Sequence, residues 1–226
     1  MNDEDLSPAS ANKDLIHLGS VVNRTIERKK LNITAPMSGY KFKVVEQRIR
    51  KAFSDDWIKN RILRPGALDG LNPEARAIVL GMINTGYRPS EGAALLASHM
   101  HLTSNTPYIE IKSDGREVKS LNALRYIPVT GVSLEALRQF PEGFPRYRNS
   151  SSLSATVNKY FRENDLMESD EHSFYSLRHS FQDRMVRAGF DPRLQADFMG
   201  HAFQRERYGD GGGLDFKFAE MSRIAL

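Results

Sequence analysis

Leu15, Leu18, Val22 and Ile26 recur every three to four positions, which predicts an amphipathic helix over roughly 11–30. Residues 1–10 before it are polar and acidic, carry a Ser-Pro pair, and read as disordered. TAPMSG (34–39) after it reads as a linker. One helix bounded in this way cannot bury its apolar face alone, so it reads as the last helix of an upstream domain. Helical spacing returns at FSDDWIKNRIL (53–63), with Ser54 as the expected N-cap. It continues in NPEARAIVLGMINTGYR, where Asn72 caps, Pro73 opens the first turn and Gly86 ends the helix. RPSEGAALLASH (88–99) is the next predicted helix. PYIEIK, REVKS and LRYIPV, with SDG turning between the first two, then predict three antiparallel strands. Helices resume at 133–140, 151–164, 174–189 and 192–200, and in the tail Leu214, Phe218, Met221 and Ala225 share one helical face. The expected fold is mostly α (α+β), with one small three-stranded antiparallel sheet.

Composition fits a soluble chain that buries a real core, with 226 residues, 40% of them hydrophobic and 27% charged. The absence of cysteine excludes disulfides, thiolate metal sites and cysteine nucleophiles together. No apolar run approaches the ~18 residues of a membrane span, and the N-terminus lacks the apolar core of a signal peptide. The cytoplasm is therefore the expected compartment. Net charge is only +4, but it is unevenly spread. Arg24, Arg28, Lys29, Lys30, Lys41, Lys43, Arg48, Arg50 and Lys51 are opposed in that stretch only by Glu27 and Glu46. Such a segment suits a polyanionic backbone such as DNA. It is equally a solvated helix face followed by a linker.

Candidate chemistry narrows by elimination. Six histidines without cysteine and without HExxH spacing give no metal set, and no cofactor is expected. There is no GxSxG elbow and no phosphate loop of the GxxxxGK[ST] type. What remains is basic. TGYRPSE carries Arg88, YSLRHSF carries Arg178, GH carries His201, and Tyr208 stands just before GDGGG. A guanidinium presents a planar fork to two phosphate oxygens and keeps its proton. Fixed donors at those oxygens stabilise the charge that builds in a transition state, and a tyrosine hydroxyl can serve as the nucleophile. Taken singly, each is more often a surface ion pair, an ordinary histidine or a surface tyrosine.

The order TGxRxxE, basic β-hairpin, xxLRHSF and GHxxxxxxY, taken together, resembles the catalytic domain of the tyrosine recombinases, the phage-integrase family, over about residues 50–226. The resemblance implies a catalytic domain at 41–226, preceded at 1–40 by a disordered N-terminus, a remnant helix of a core-binding domain and a linker. It implies site-specific DNA recombination through a 3′-phosphotyrosine, with double-stranded DNA as partner. Assembly would be a homotetramer on DNA and a monomer in isolation. Arg88 and Arg178 would bind the scissile phosphate, His201 would occupy the later histidine position, and Tyr208 would be the nucleophile. The hairpin lysine matches Lys119, with Lys112 one strand earlier as the competitor. Tyr175 stands where the family usually has histidine or lysine, three residues before the second arginine, and it is expected to position phosphate. His172 lies off that face, and His179, directly after Arg178, reads as structural. The interval from His201 to Tyr208 is slightly shorter than in many members. Type IB topoisomerase-like relaxation, a catalytically inactive DNA-binding prophage remnant, and an all-helical interaction protein are the alternatives.

Overall fold

The computed structural model describes residues 6–34, 36–37, 39–43, 51–113, 124–203, 209 and 211–226. The chain divides into two compact units, Met1–Ile49 and Arg50–Leu226.

In the first unit, helix α1 runs Pro8–Lys29, starting earlier than expected. The Ser-Pro pair read as disorder is its start: Ser7 accepts the Ser10 N–H at 3.2 Å and Pro8 opens the first turn, where its missing donor costs nothing. Lys30 ends the helix in the left-handed region at φ 50°. Asn12 then bonds the backbone of Phe42 in both directions, at 2.8 and 2.9 Å.

The second unit holds the core. Ser54 caps a short helix, α2 (Asp55–Trp57), which widens into a π turn at Ile58–Ile62. Helix α3 (Pro73–Thr85) is capped at Asn72, whose side chain accepts the Ala75 N–H, and is closed by Gly86. Ala75, Ile78, Val79, Met82 and Ile83 are buried, so α3 forms the centre of the unit. Helix α4 is only Pro89–Ala93, followed by a 3-10 turn at Ala97–His99, where one helix over 88–99 was expected. The chain leaves the helix because Leu96 turns extended to bridge Gly143, while Leu95 is buried at 1% exposure.

The sheet has order β1-β2-β3, all antiparallel: β1 (Met100–His101), β2 (Tyr108–Ile111) and β3 (Arg125–Pro128). Strands β2 and β3 match PYIEIK and LRYIPV. The two-residue β1 is too short to announce itself by alternation, and REVKS lies outside the described residues. Helices α5 (Gly131–Arg138), α6 (Pro145–Arg148), α7 (Leu153–Glu163), α8 (Ser176–Arg187), α9 (Pro192–Met199) and α10 (Gly213–Arg223) complete the unit. Met221 of α10 is buried, and Asp215 accepts a hydrogen bond from Thr106, so the tail packs on its own domain. Among the described residues no helix is long and apolar enough to cross a membrane.

Candidate active site

Gly86 joins the two most informative motifs. Its φ of 58° suits glycine, and a Cβ there would lie 2.2 Å from the Phe181 ring. Phe181 of α8 therefore seats directly against the turn that ends α3. That close approach lets Arg178, 1% exposed, donate from Nη1 to the Gly86 carbonyl. Its Nη2 donates to the carbonyl of Met199, at the end of α9. TGYRPSE and YSLRHSF are thus bolted together through one glycine.

Arg88 follows as the N-cap of α4. Its N–H donates to Glu91 Oε2 at 2.8 Å, and its Nη1 to Glu91 Oε1 at 2.7 Å. The Arg88 side chain is 21% exposed, against 5% for Glu91. Glu91 also receives a second guanidinium, that of Arg125 at the start of β3, from Nη2 at 2.8 Å and Nη1 at 3.2 Å. Burial would raise the Glu91 carboxyl, but bonding and charge from Arg125, with those from Arg88, outweigh it and bring the pKa down to about 2. The carboxylate is ionised at any working pH. From sequence alone neither Glu91 nor Arg125 has a role assigned, although Glu91 is the glutamate of TGxRxxE. The only signal was the glutamate three residues after Arg88, the spacing at which a side chain reaches back to an N-cap backbone.

His201 emerges after Gly200, which closes α9 in the left-handed region at φ 60°. Its Nε2 lies 3.3 Å from Arg178 Nη2. A guanidinium has no acceptor, so Nε2 takes the bond and the imidazole is neutral with its proton on Nδ1. Partial burial, then the charges of Arg178, Arg88 and Arg125, lower the His201 pKa, with Glu91 opposing them. On its other flank His201 borders a hollow that Gln182, Asp191 and Phe203 also line.

Tyr175 is the N-cap of α8 and half-buried, its ring meeting His179 edge-on at 5.3 Å. It lies near enough to Arg178 to act on it electrostatically. Burial, with Arg88 and Arg125, brings the Arg178 pKa down to about 10, while Tyr175 and Glu91 push it up, so Arg178 stays cationic. His172 is structural. It is buried, stacks on Phe53 at 4.7 Å, and bonds Ser169 Oγ and the Ala52 carbonyl at 2.9 and 3.0 Å. Lys112 is ion-paired with Glu110 on β2, and Glu110 also meets His101 at 2.8 Å. Lys119 and Tyr208 lie outside the described residues.

The described part of the site is therefore three guanidiniums and a neutral imidazole around a single carboxylate. The positive excess of such a cluster suits an anion such as a phosphate. The phage integrase family model matches residues 66–206, more than half of the chain. The chain belongs to the phage integrase family, and is a tyrosine recombinase, an enzyme of site-specific DNA recombination.

Solved structures carry the same fold. The Tn1549 transposon integrase, in complex with transposon right-end DNA, matches with a TM-score of 0.61 at 16% identity, covering 89% of this chain and 74% of that one. The integrase from mycobacterium phage Brujita matches with a TM-score of 0.56 at 16% identity, covering 97% and 73%. The XerH recombinase bound to its difH substrate matches with a TM-score of 0.56 at 17% identity, covering 84% and 56%. No curated protein sequence matches the chain.

Proposed function

We propose that Arg88 and Arg178 hold the scissile phosphate of double-stranded DNA while Tyr208 attacks it. The tyrosine oxygen bonds to phosphorus and the bond to the 5′ oxygen breaks, leaving a 3′-phosphotyrosine. Neutral His201 takes the phenol proton on Nε2 once Arg178 Nη2 turns from it to the phosphate, Lys119 protonates the departing 5′ oxygen, and the phenol of Tyr175 donates to a phosphate oxygen. Attack by a 5′ hydroxyl of a partner strand reverses the step and exchanges strands. One phosphodiester replaces another, so no external energy source enters. The observation that carries this reading is the convergence of Arg88, Arg178 and His201, from three separate motifs, around Gly86 and the end of α9.

The proposed catalytic domain spans 41–226, with α1 belonging to an upstream DNA-clamping domain and the basic stretch from Arg24 to Lys51 lying along the duplex. DNA-bound relatives such as the Tn1549 integrase and XerH support DNA as the partner. Assembly as a tetramer on DNA, a monomer in isolation and a cytoplasmic location complete the proposal. A duplex nicked next to the cleavage point tests it, because loss of the short fragment traps the covalent intermediate. Wild-type protein should accumulate a protein–DNA adduct. Tyr208→Phe removes the nucleophilic oxygen with little change in volume, so it should bind DNA and form none. Adducts in the Phe variant would place the nucleophile elsewhere.

A further inference from the structure

We infer that Arg125 is a positioning residue of the cleavage site, orienting Arg88 through Glu91 and His201 through the end of α9. The inference rests on the phosphate-clamp reading above and adds to it a residue that does not touch DNA.

The partners of Arg125 set it apart from the two clamp arginines. Its side chain is 5% exposed, as is that of Glu91. Both terminal nitrogens fork onto the two Glu91 oxygens, and Nε donates to the Phe198 carbonyl at 2.8 Å. Its fork is closed on a carboxylate of the protein's own, which spends its charge internally, whereas Arg178 gives its fork to neutral carbonyls and Arg88 reaches 21% exposure.

What Arg125 supports follows from charge and from helix ends. Glu91 grips Arg88 at both its backbone N–H and its Nη1. Alone, that carboxylate would cancel the charge that Arg88 offers to a phosphate. Arg125 occupies both Glu91 oxygens, so the group keeps its positive excess while Arg88 stays oriented. At the other end, the last carbonyls of a helix have no intrahelical partner. Arg125 takes that of Phe198 and Arg178 that of Met199, fixing where α9 stops and where His201 leaves it. Arg125 also begins β3, six residues after Lys119, so the strand that follows the expected hairpin lysine starts from the same anchor.

His201 provides a readout that simple packing would not move. The charged groups facing it are Arg178 from α8, Arg88 and Glu91 from α4 and its cap, and Arg125 from β3, with Asp191 lining the adjoining hollow. Removing the Arg125 charge also leaves more of the Glu91 charge uncompensated. Both changes raise the His201 pKa, so the imidazole stays protonated to higher pH.

The test uses the full chain with Arg125→Met and Arg125→Lys. It measures single-turnover cleavage of the nicked duplex, DNA affinity, and titration of His201 by NMR in the DNA-free protein. Arg125→Met should cleave ~10²-fold more slowly, the scale on which a displaced group costs rate. Its DNA affinity should be unchanged and its His201 should titrate at higher pH than in wild type. Arg125→Lys keeps the charge and loses the fork, so His201 should titrate as in wild type while cleavage still falls. Cleavage at the wild-type rate by either folded variant overturns the inference. A loss of DNA affinity matching the loss of rate does so too, because it makes Arg125 a phosphate ligand. If Arg125→Met fails to fold, Arg125→Lys decides alone. Failure of the clamp reading looks different: wild type forms no adduct, or Tyr208→Phe retains one, while the His201 titration still reports the Arg125 charge.

Discussion

Helix α8 carries two buried arginines, Arg178 at 1% and Arg184 at 4% exposure, six residues apart in sequence. Both donate to carbonyls at the end of α3, Arg178 to Gly86 and Arg184 to Ile83. Burial brings both down to about 10. Their surroundings then diverge. Around Arg178 stand two more guanidiniums, a neutral imidazole and one carboxylate, and Arg88 and His201 reach solvent. Around Arg184 the positive excess is smaller and the space is closed. Asp55 opposes its charge while Arg187, which pairs with Asp55, adds to it, and Asn84 Oδ1 accepts from it at 3.2 Å. Asn84 also accepts the Leu226 N–H at 3.0 Å and donates to the Leu226 carbonyl at 2.8 Å. The protein's own tail closes that seat. What separates the two seats is the opening: the Arg178 end leads to solvent and suits the phosphate site proposed above, while the Arg184 end is filled by the protein's own groups.

The same substitution at both positions puts the comparison at risk. Arg178→Met should lower the cleavage rate by ~10²-fold or more, the loss seen when one transition-state donor is removed. Arg88→Ala should do the same. Arg184→Met should leave cleavage within about twofold, the independence expected of sites that share no partner. Its stability should change little. It forfeits bonds to Ile83 and Asn84, but it also removes two buried nitrogens, Nε and Nη1, that have no partner among the described residues. Thermal melts beside single-turnover cleavage check both halves. Equal losses of rate at the two positions would erase the distinction.

The arginine pair and the histidine were legible as candidates because their short motifs stand in one order along the chain, although each alone says little. So were the caps at Ser54 and Asn72 and the glycine stop at Gly86, since capping depends on residues three or four apart. The Glu91–Arg125 pair spans 34 residues, and a strand arginine looks like any surface cation until the sheet folds it inward. The Arg184 seat was hidden for the same reason: its partner Asn84 reads as one polar residue near a helix end, and the tail that completes it lies 142 positions away. Length misled as well. The apolar run of 88–99 has helical spacing throughout, yet burial of Leu95 and the bridge at Leu96 end α4 after five residues. Tertiary contact decided those elements, and periodicity does not register it.

The smallest expected effect falls at the edge of the functional end, at Tyr175. It caps α8 three residues before Arg178, so the two lie on one face. Its ring meets His179 edge-on. A neutral phenol can donate one hydrogen bond to a phosphate oxygen, and it accepts protons less readily than an imidazole. Tyr175 would then assist the two guanidiniums without carrying the proton. Tyr175→Phe keeps the ring contact with His179 and removes only the donor. Cleavage should fall by several-fold, roughly the 1 kcal/mol net contribution of one hydrogen bond, with an unchanged melting temperature. Full activity in the Phe variant would reduce Tyr175 to packing and draw the boundary of the functional end at Arg178 itself.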